Sequence, residues 1–270
     1  MRGTLDESPV TRGNPLLSAR MGRDLLLILL GASLLEFVVM AWQLSRTASI
    51  GVDLHLYQGY VARFLAGGSL YQPWQLAGPY EIHAAILGGP VYEHVSPSLY
   101  PPLIVPLIGP FLVLPEFLWW AIPLGIIGYV LWRLRPGLWA WVAIAALCVY
   151  PRTLSMVLLG NPAIWCVAAI ALALLWRWPA IFVLLKPSLL PFALVGIRAR
   201  SWWVGASLLV FASLPFVHLW NDWITAILNS RGGGLAYSFA EAPTLLIPLV
   251  AWVGRTRQRR AFAGQSRRSV

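Results

Sequence analysis

The chain has 270 residues, of which 59% are hydrophobic and only 11% charged. An ordinary soluble domain carries about 25% charged residues, so this deficit, together with long runs free of charge, excludes a soluble enzyme and a disordered chain and makes lipid the main solvent. The formal net charge of +10 comes from 19 arginines and one lysine against 10 acids, with four arginines before residue 24 and six in the last sixteen residues. That distribution reads as membrane orientation and excludes nucleic acid as a partner, which would need a basic face on a polar domain.

A helix crosses a bilayer with about 20 apolar residues. Residues 1–23, with Arg12, Arg20 and Arg23, read as a cytoplasmic N-terminal tail, and residues 25–44 as the first span. An uncleaved anchor is expected here, because a signal peptide has an apolar core of only about 7–15 residues followed by a small-residue cleavage site. Residues 100–115 are apolar but carry Pro101, Pro102, Pro106, Pro110 and Pro115. Proline removes amide donors and kinks helices, so this stretch is expected to lie in or dip into the outer leaflet.

Further apolar runs follow at 117–132, 138–150, 162–176, 202–219 and 242–254, separated by the basic marks Arg133/Arg135, Arg177 and Arg198/Arg200. Keeping every mark on the cytoplasmic side places outer loops at 46–116 and 220–241 within a multispanning membrane domain, residues 24–254, and leaves 255–270 as an Arg-rich cytoplasmic tail. Residues 178–197 resist this scheme, since arginines bracket them and twenty residues cannot supply two full spans. A re-entrant or thinly spanning hairpin, broken at Lys186-Pro187 and Pro191, keeps the flanking arginines on one side; a single span that violates the rule is the alternative. The expected fold is all-α: a polytopic membrane protein with about seven or eight transmembrane helices, plus juxtamembrane helices in the first outer loop.

Only Arg46, Arg63, Arg152 and Arg231 fall outside in this topology. The first outer loop opens with Asp53, His55 and Tyr57, and Leu54, Leu56, Val61, Phe64 and Leu65 suit an amphipathic helix on the membrane, closed by Gly67-Gly68. Asp53 either caps that helix or serves as a general base at the membrane surface. Lys186, the single lysine, lies in the middle of an apolar run, where a charge is costly; it either snorkels to the interface or faces a buried anion. Gly160-Asn161-Pro162 has the form of a capped helix start, and Arg152 shortly before it is a second cation for gripping a phosphate. Trp119 and Trp120 either wall a groove for a lipid tail or anchor the interface.

His55, His83, His94, His218, Glu81 and Glu93 lie in or beside outer loops but share no repeated spacing, and Cys148 and Cys166 lie in apolar runs, so no metal site, cofactor or disulfide framework is expected. Arg231 followed by Gly232, Gly233 and Gly234 reads as a flexible loop more readily than as an anion-binding turn.

Taken together, Asp53, Tyr57, Ala62, Gly67-Gly68, Leu70-Tyr71, Tyr100-Pro101-Pro102-Leu103 with Pro106 and Pro110, Trp119/Trp120, Gly160-Asn161 and Lys186-Pro187 resemble glycosyltransferase family 87. These multispanning enzymes of the C superfamily are similar to polyprenyl-phosphate-mannose-dependent mannosyltransferases and related arabinofuranosyltransferases of cell-envelope assembly. The resemblance covers roughly residues 24–205. It implies transfer of a sugar, mannose foremost, from a polyprenyl-phosphate donor to a lipid-linked or glycolipid acceptor, on the extracytoplasmic face of the cell membrane.

By the same resemblance Asp53 matches the catalytic base. His55, Tyr57, Tyr71 and Tyr100 are substrate-binding candidates, and Lys186, Arg152 and Asn161 are candidates for the donor phosphate. The chain departs from the family pattern in lacking the Gln before Asn161 and in its shorter length around 178–197 and after 240. A noncatalytic shortened homologue or assembly subunit, and a transporter or flippase with Lys186 lining a pathway, are the alternative expectations.

Overall fold

A computed structural model describes residues 15–47, 50–81, 97–231 and 239–256. They are mostly helical, and the only paired strands among them are two residues long, Tyr80–Glu81 running parallel to Ser230–Arg231. Helix α1 (Pro15–Thr47) contains the segment Ser18–Arg46, which is long and apolar enough to cross a membrane. Most of its leucines and valines, Leu27, Leu34, Leu35 and Val38 among them, are exposed, a surface that needs lipid or protein cover.

Helices α2 (Val52–Leu65), α3 (Pro73–Ala77) and α4 (Ile104–Ile108) lead to α5 (Leu118–Leu134). Next come α6 (Leu138–Val149) and α7 (Pro151–Leu158), bent by 68° from one another, and α8 (Ala163–Trp176). After the segment 178–197, which includes α9 (Leu190–Ala193), follow α10 (Arg200–Ser213), α11 (Leu219–Asn229) and α12 (Ala242–Val253). The helix unit ending at α10 and α11 meet at 93°. If each bent pair is one span, three segments meet the length and composition of a crossing helix; α5, α8 and α12 are apolar but shorter.

Helix α8 is apolar on every side and buried on nearly every side, with Ile164, Val167, Ile170 and Ala173 in the main core. Such a helix belongs at the centre of a bundle. A second core joins α2 to the proline-rich stretch, where Ile104, Val105, Ile108 and Phe111 pack with Leu54, Tyr57 and Trp119. The prolines limit α4 to five residues, followed by a tight 3₁₀ turn at Gly109–Leu112. Irregular backbone is therefore covered by protein at this point, which is how such backbone is tolerated at membrane depth.

Residues 178–197 fold back on themselves. A 3₁₀ run, Trp178–Leu185, leaves the C-terminal end of α8, and at a rise of about 2.0 Å per residue it returns most of the length of that helix. Pro187 forces Lys186 into an extended conformation (φ −124°, ψ 90°) that ends the run. The chain then turns again, and Gly196, at φ 87°, lies against Arg177 where the excursion began.

The contacts also sort the helix ends. Gly22 of α1 abuts Leu138, the Gly137 amide bonds to the Gly254 carbonyl at 2.9 Å, and the Thr256 hydroxyl bonds to the Arg135 carbonyl at 2.9 Å. At the opposite end the Trp119 indole donates to the Gly160 carbonyl at 2.9 Å, bringing the starts of α5 and α8 together. Helices α5 and α8 thus run side by side towards Arg133, Arg135 and Arg177, and away from residues 51, 53 and 161.

Candidate functional site

Two glycines let the site close. Gly51 (φ 81°) turns the chain into α2, and Gly160 (φ 69°) ends α7 in the left-handed conformation that glycine favours at such a position. A Cβ on Gly160 would stand 3.1 Å from the Leu54 Cβ and 3.3 Å from the Gly51 backbone. The starts of α2 and α8 can approach this closely only because neither residue has a side chain. The Gly51 and Asp53 amides then bond to the Leu158 and Leu159 carbonyls, each at 2.8 Å, which fastens the first turn of α2 to the end of α7.

This arrangement directs Asp53 away from a capping role. Gly51 occupies the cap position with no side-chain bond, and the Asp53 Oδ2 instead accepts from Asn161 Nδ2 at 2.7 Å. The other end of the Asn161 amide is crowded with donors. Its Oδ1 accepts from the Tyr100 hydroxyl, from the Lys186 ammonium and from the Ala163 amide, each at 3.0 Å. Only one amide orientation fits, because the reverse would aim N–H groups at the Lys186 ammonium and the Ala163 amide and turn the amide oxygen towards the Asp53 carboxylate. Asn161 therefore supports the start of α8 and also bridges Asp53 to Lys186.

Lys186 does not snorkel. It is 1% exposed, lies 5.1 Å from the centre of the Tyr100 ring, and makes a short ion pair with Glu241 at the start of α12. Leaving water costs an ammonium several kcal/mol, and a carboxylate partner with further hydrogen bonds offsets that penalty. Burial pushes the Asp53 carboxyl above the ordinary value of 3.8; the Asn161 hydrogen bond and the Lys186 and Arg152 charges oppose the rise, while Glu241 adds to it.

The other sequence candidates divide. Tyr100 is fully buried and belongs to the site through its hydroxyl. Tyr57 is buried and meets the Tyr100 ring edge-on at 4.8 Å. Tyr71 is a support, since its buried hydroxyl donates to the Tyr100 carbonyl at 2.9 Å. His55, two residues beyond Asp53 in α2, is exposed and pairs with Glu116 at 3.0 Å in an exposed contact. Arg152 is exposed in the first turn of α7, acts on Asp53 only as a charge, and makes no ion pair with Lys186's partners among the described residues.

Trp119 is a core residue, 0% exposed, and Trp120 donates to the Val157 carbonyl at 2.7 Å, so both indoles brace the α7–α8 junction instead of standing at an open interface. His218 stacks on Phe64 at 6.4 Å. His83, His94, Glu93 and Gly232 to Gly234 lie outside the described residues, as do most of the two tails.

Glu241 is the participant that sequence reasoning did not name. The available signal was a lone acid at the start of an apolar helix in a chain whose lone lysine lies within an apolar run. Beside the site, an apolar cavity of about 580 Å³ opens between α1, α5, α6, α7, α8 and α12; its wall includes Met156 and Ile164, whose backbones hydrogen-bond to that of Asn161. No protein-family model, curated protein or solved structure matches this chain.

Proposed function

We propose that the chain is a membrane glycosyltransferase that moves a sugar, mannose foremost, from a polyprenyl-phosphate donor to a lipid-linked acceptor with inversion, Asp53 acting as general base. The observation that carries this reading is the continuous link from the Asp53 carboxylate through Asn161 to the Lys186 ammonium. A base and a cation stand on opposite sides of one amide, at the end of the bundle away from Arg133, Arg135 and Arg255. By the distribution of basic residues that end is extracytoplasmic.

The chemistry follows from these groups. A phosphate leaves without being protonated, so one carboxylate is enough. The acceptor oxygen attacks the anomeric carbon from the face opposite the phosphate and gives its proton to Asp53. The bond from the anomeric carbon to the phosphate oxygen breaks, its electron pair stays on that oxygen, and charge passes through an oxocarbenium-like state. Lys186 stabilises the growing phosphate charge, a role commonly worth about 3–4 kcal/mol.

Because Glu241 holds Lys186 in this structure, the donor phosphate takes the place of Glu241 on the ammonium. Asp53's burial suits its role, since a carboxyl held above its ordinary pKa is a stronger base. The neighbouring apolar cavity offers room for the donor's hydrocarbon chain.

The test is to incubate reconstituted protein with polyprenyl-phosphate mannose, or the arabinose equivalent, and membrane glycolipids. The parent turns over and Asp53→Asn loses about 10²–10⁴-fold of the rate; equal turnover in both sinks the assignment. One observation favours a second reading, transport: a buried Lys186–Glu241 pair at the tip of a broken hairpin is also what an ion or substrate pathway uses. In that case vesicles move the lipid-linked sugar across the membrane without forming product, and Asp53→Asn is indifferent.

A further inference from the structure

At the end of the bundle away from Asp53, the junction between α5 and α6 and the chain after α12 are stapled together. The Arg135 carbonyl accepts from the Thr256 amide at 3.2 Å and from its hydroxyl at 2.9 Å, the Gly137 amide bonds to the Gly254 carbonyl at 2.9 Å, and Pro136 and Arg255 form an antiparallel bridge. Arg135 takes the left-handed conformation (φ 47°) that ends α5, a conformation only a few per cent of non-glycine residues adopt.

The staple frames a pocket of about 400 Å³ whose wall includes Arg133, Arg135, Arg255, Trp132 and Thr256. Among the described residues no carboxylate is in that wall, and none of the three guanidiniums makes an ion pair. Arg255 is held in place, with one N–H donating to the Trp252 carbonyl at 2.6 Å and the guanidinium 4.5 Å from the Trp252 ring centre. Among the described residues its guanidinium makes no further hydrogen bond.

We propose that this pocket binds a phosphate group, held by Arg133, Arg135 and Arg255. Three arginines in the wall of one pocket suit the oxygens of a phosphate, which guanidinium recognises through paired charge-assisted hydrogen bonds. Simple membrane orientation requires only that arginines lie on one side; here two segments distant in sequence are bonded together so that their arginines line one pocket. An anionic lipid headgroup and a soluble phosphate both present this chemistry. The exposed Trp132 at the rim is a residue type enriched at headgroup depth, which favours the lipid.

The experiment uses the full chain in detergent. Native mass spectrometry counts retained phosphatidylglycerol and phosphatidylcholine for the parent, for Arg133→Gln/Arg135→Gln and for Arg198→Gln/Arg200→Gln, with inorganic phosphate as competitor. The control pair removes the same charge from another basic mark, and the Arg133 and Arg135 side chains make no hydrogen bond among the described residues, so the fold does not depend on them.

The expected result is that the pocket variant binds one phosphatidylglycerol about ten-fold or more weaker than parent and control, with phosphatidylcholine unchanged. If millimolar inorganic phosphate displaces that lipid in the parent, and titrates the parent but not the pocket variant in lipid-free detergent, the site stands with a soluble phosphate as its ligand. Equal lipid and phosphate binding by the two double variants, whether both lose it or both keep it, overturns the proposal.

Discussion

The two ends of this helical bundle treat charge in opposite ways. Around Asp53 the charged groups are drawn inward and matched: Asp53 to Asn161, and Lys186 to Asn161 and Glu241. Around Arg135 the cations are exposed or half-buried and gather around a pocket whose wall, among the described residues, contains no acid. The difference follows from desolvation. A charge withdrawn from water requires partners to offset the loss, whereas a guanidinium that keeps its water does not. The matched end is therefore built for positioning, and the unmatched end remains open to an anion.

The largest expected effect breaks the matched end. Lys186→Met leaves Glu241 without its cation and removes a donor from Asn161, so stability falls by about 3–5 kcal/mol. Thermal unfolding in detergent measures it, and Lys186→Met/Glu241→Leu should recover more than half of the loss. A double variant as unstable as the single would mean that the two charges do not depend on one another.

A smaller effect sharpens the role of Asp53. Its folded pKa is raised, so its contribution to stability is fully present below the ordinary value of 3.8 and is lost as pH rises through the folded value. At neutral pH the parent therefore carries a penalty that Asp53→Asn lacks, while the asparagine oxygen can still accept from Asn161. The variant should unfold at higher temperature near pH 7, with the gap closing towards pH 4. A gap that widens as pH falls would reverse the sign of the argument. Gained stability beside lost turnover would mark Asp53 as a residue kept for chemistry.

The smallest effect concerns His55–Glu116, a pair at the matched end that remains in water. Both side chains are nearly half exposed, so His55→Ala should cost no more than about 1 kcal/mol. If its Tm falls as far as that of Lys186→Met, the distinction between the two kinds of pair is wrong.

Much of the local structure was legible in the sequence. The run expected at 162–176 is α8, that at 242–254 is α12, and 178–197 does fold back at Lys186-Pro187. These outcomes rest on hydrophobicity and on proline's missing donor, which act within a few residues. Asp53, Asn161, Lys186 and Tyr100 were all singled out, and the fold brings them together. Arg152, His55 and Tyr71 were singled out for the same types of reason, yet they face water, an exposed acid and a backbone carbonyl. Residue type singled out both groups alike, and the direction of each side chain was not available from it.

What the sequence alone determined was that apolar residues far outnumber the charges that could keep them in water, where prolines interrupt the apolar segments, and that most arginines sit between or beyond those segments. These are sums over neighbours along the chain. Only the tertiary structure decided that one asparagine joins an aspartate 108 residues before it to a lysine 25 residues after it, and that Glu241 closes the set. Such partnerships depend on two glycines allowing α2 and α8 to touch, and on a hairpin returning to the end of the helix it left. Contacts between remote segments arise from packing, and packing is a property of the whole fold.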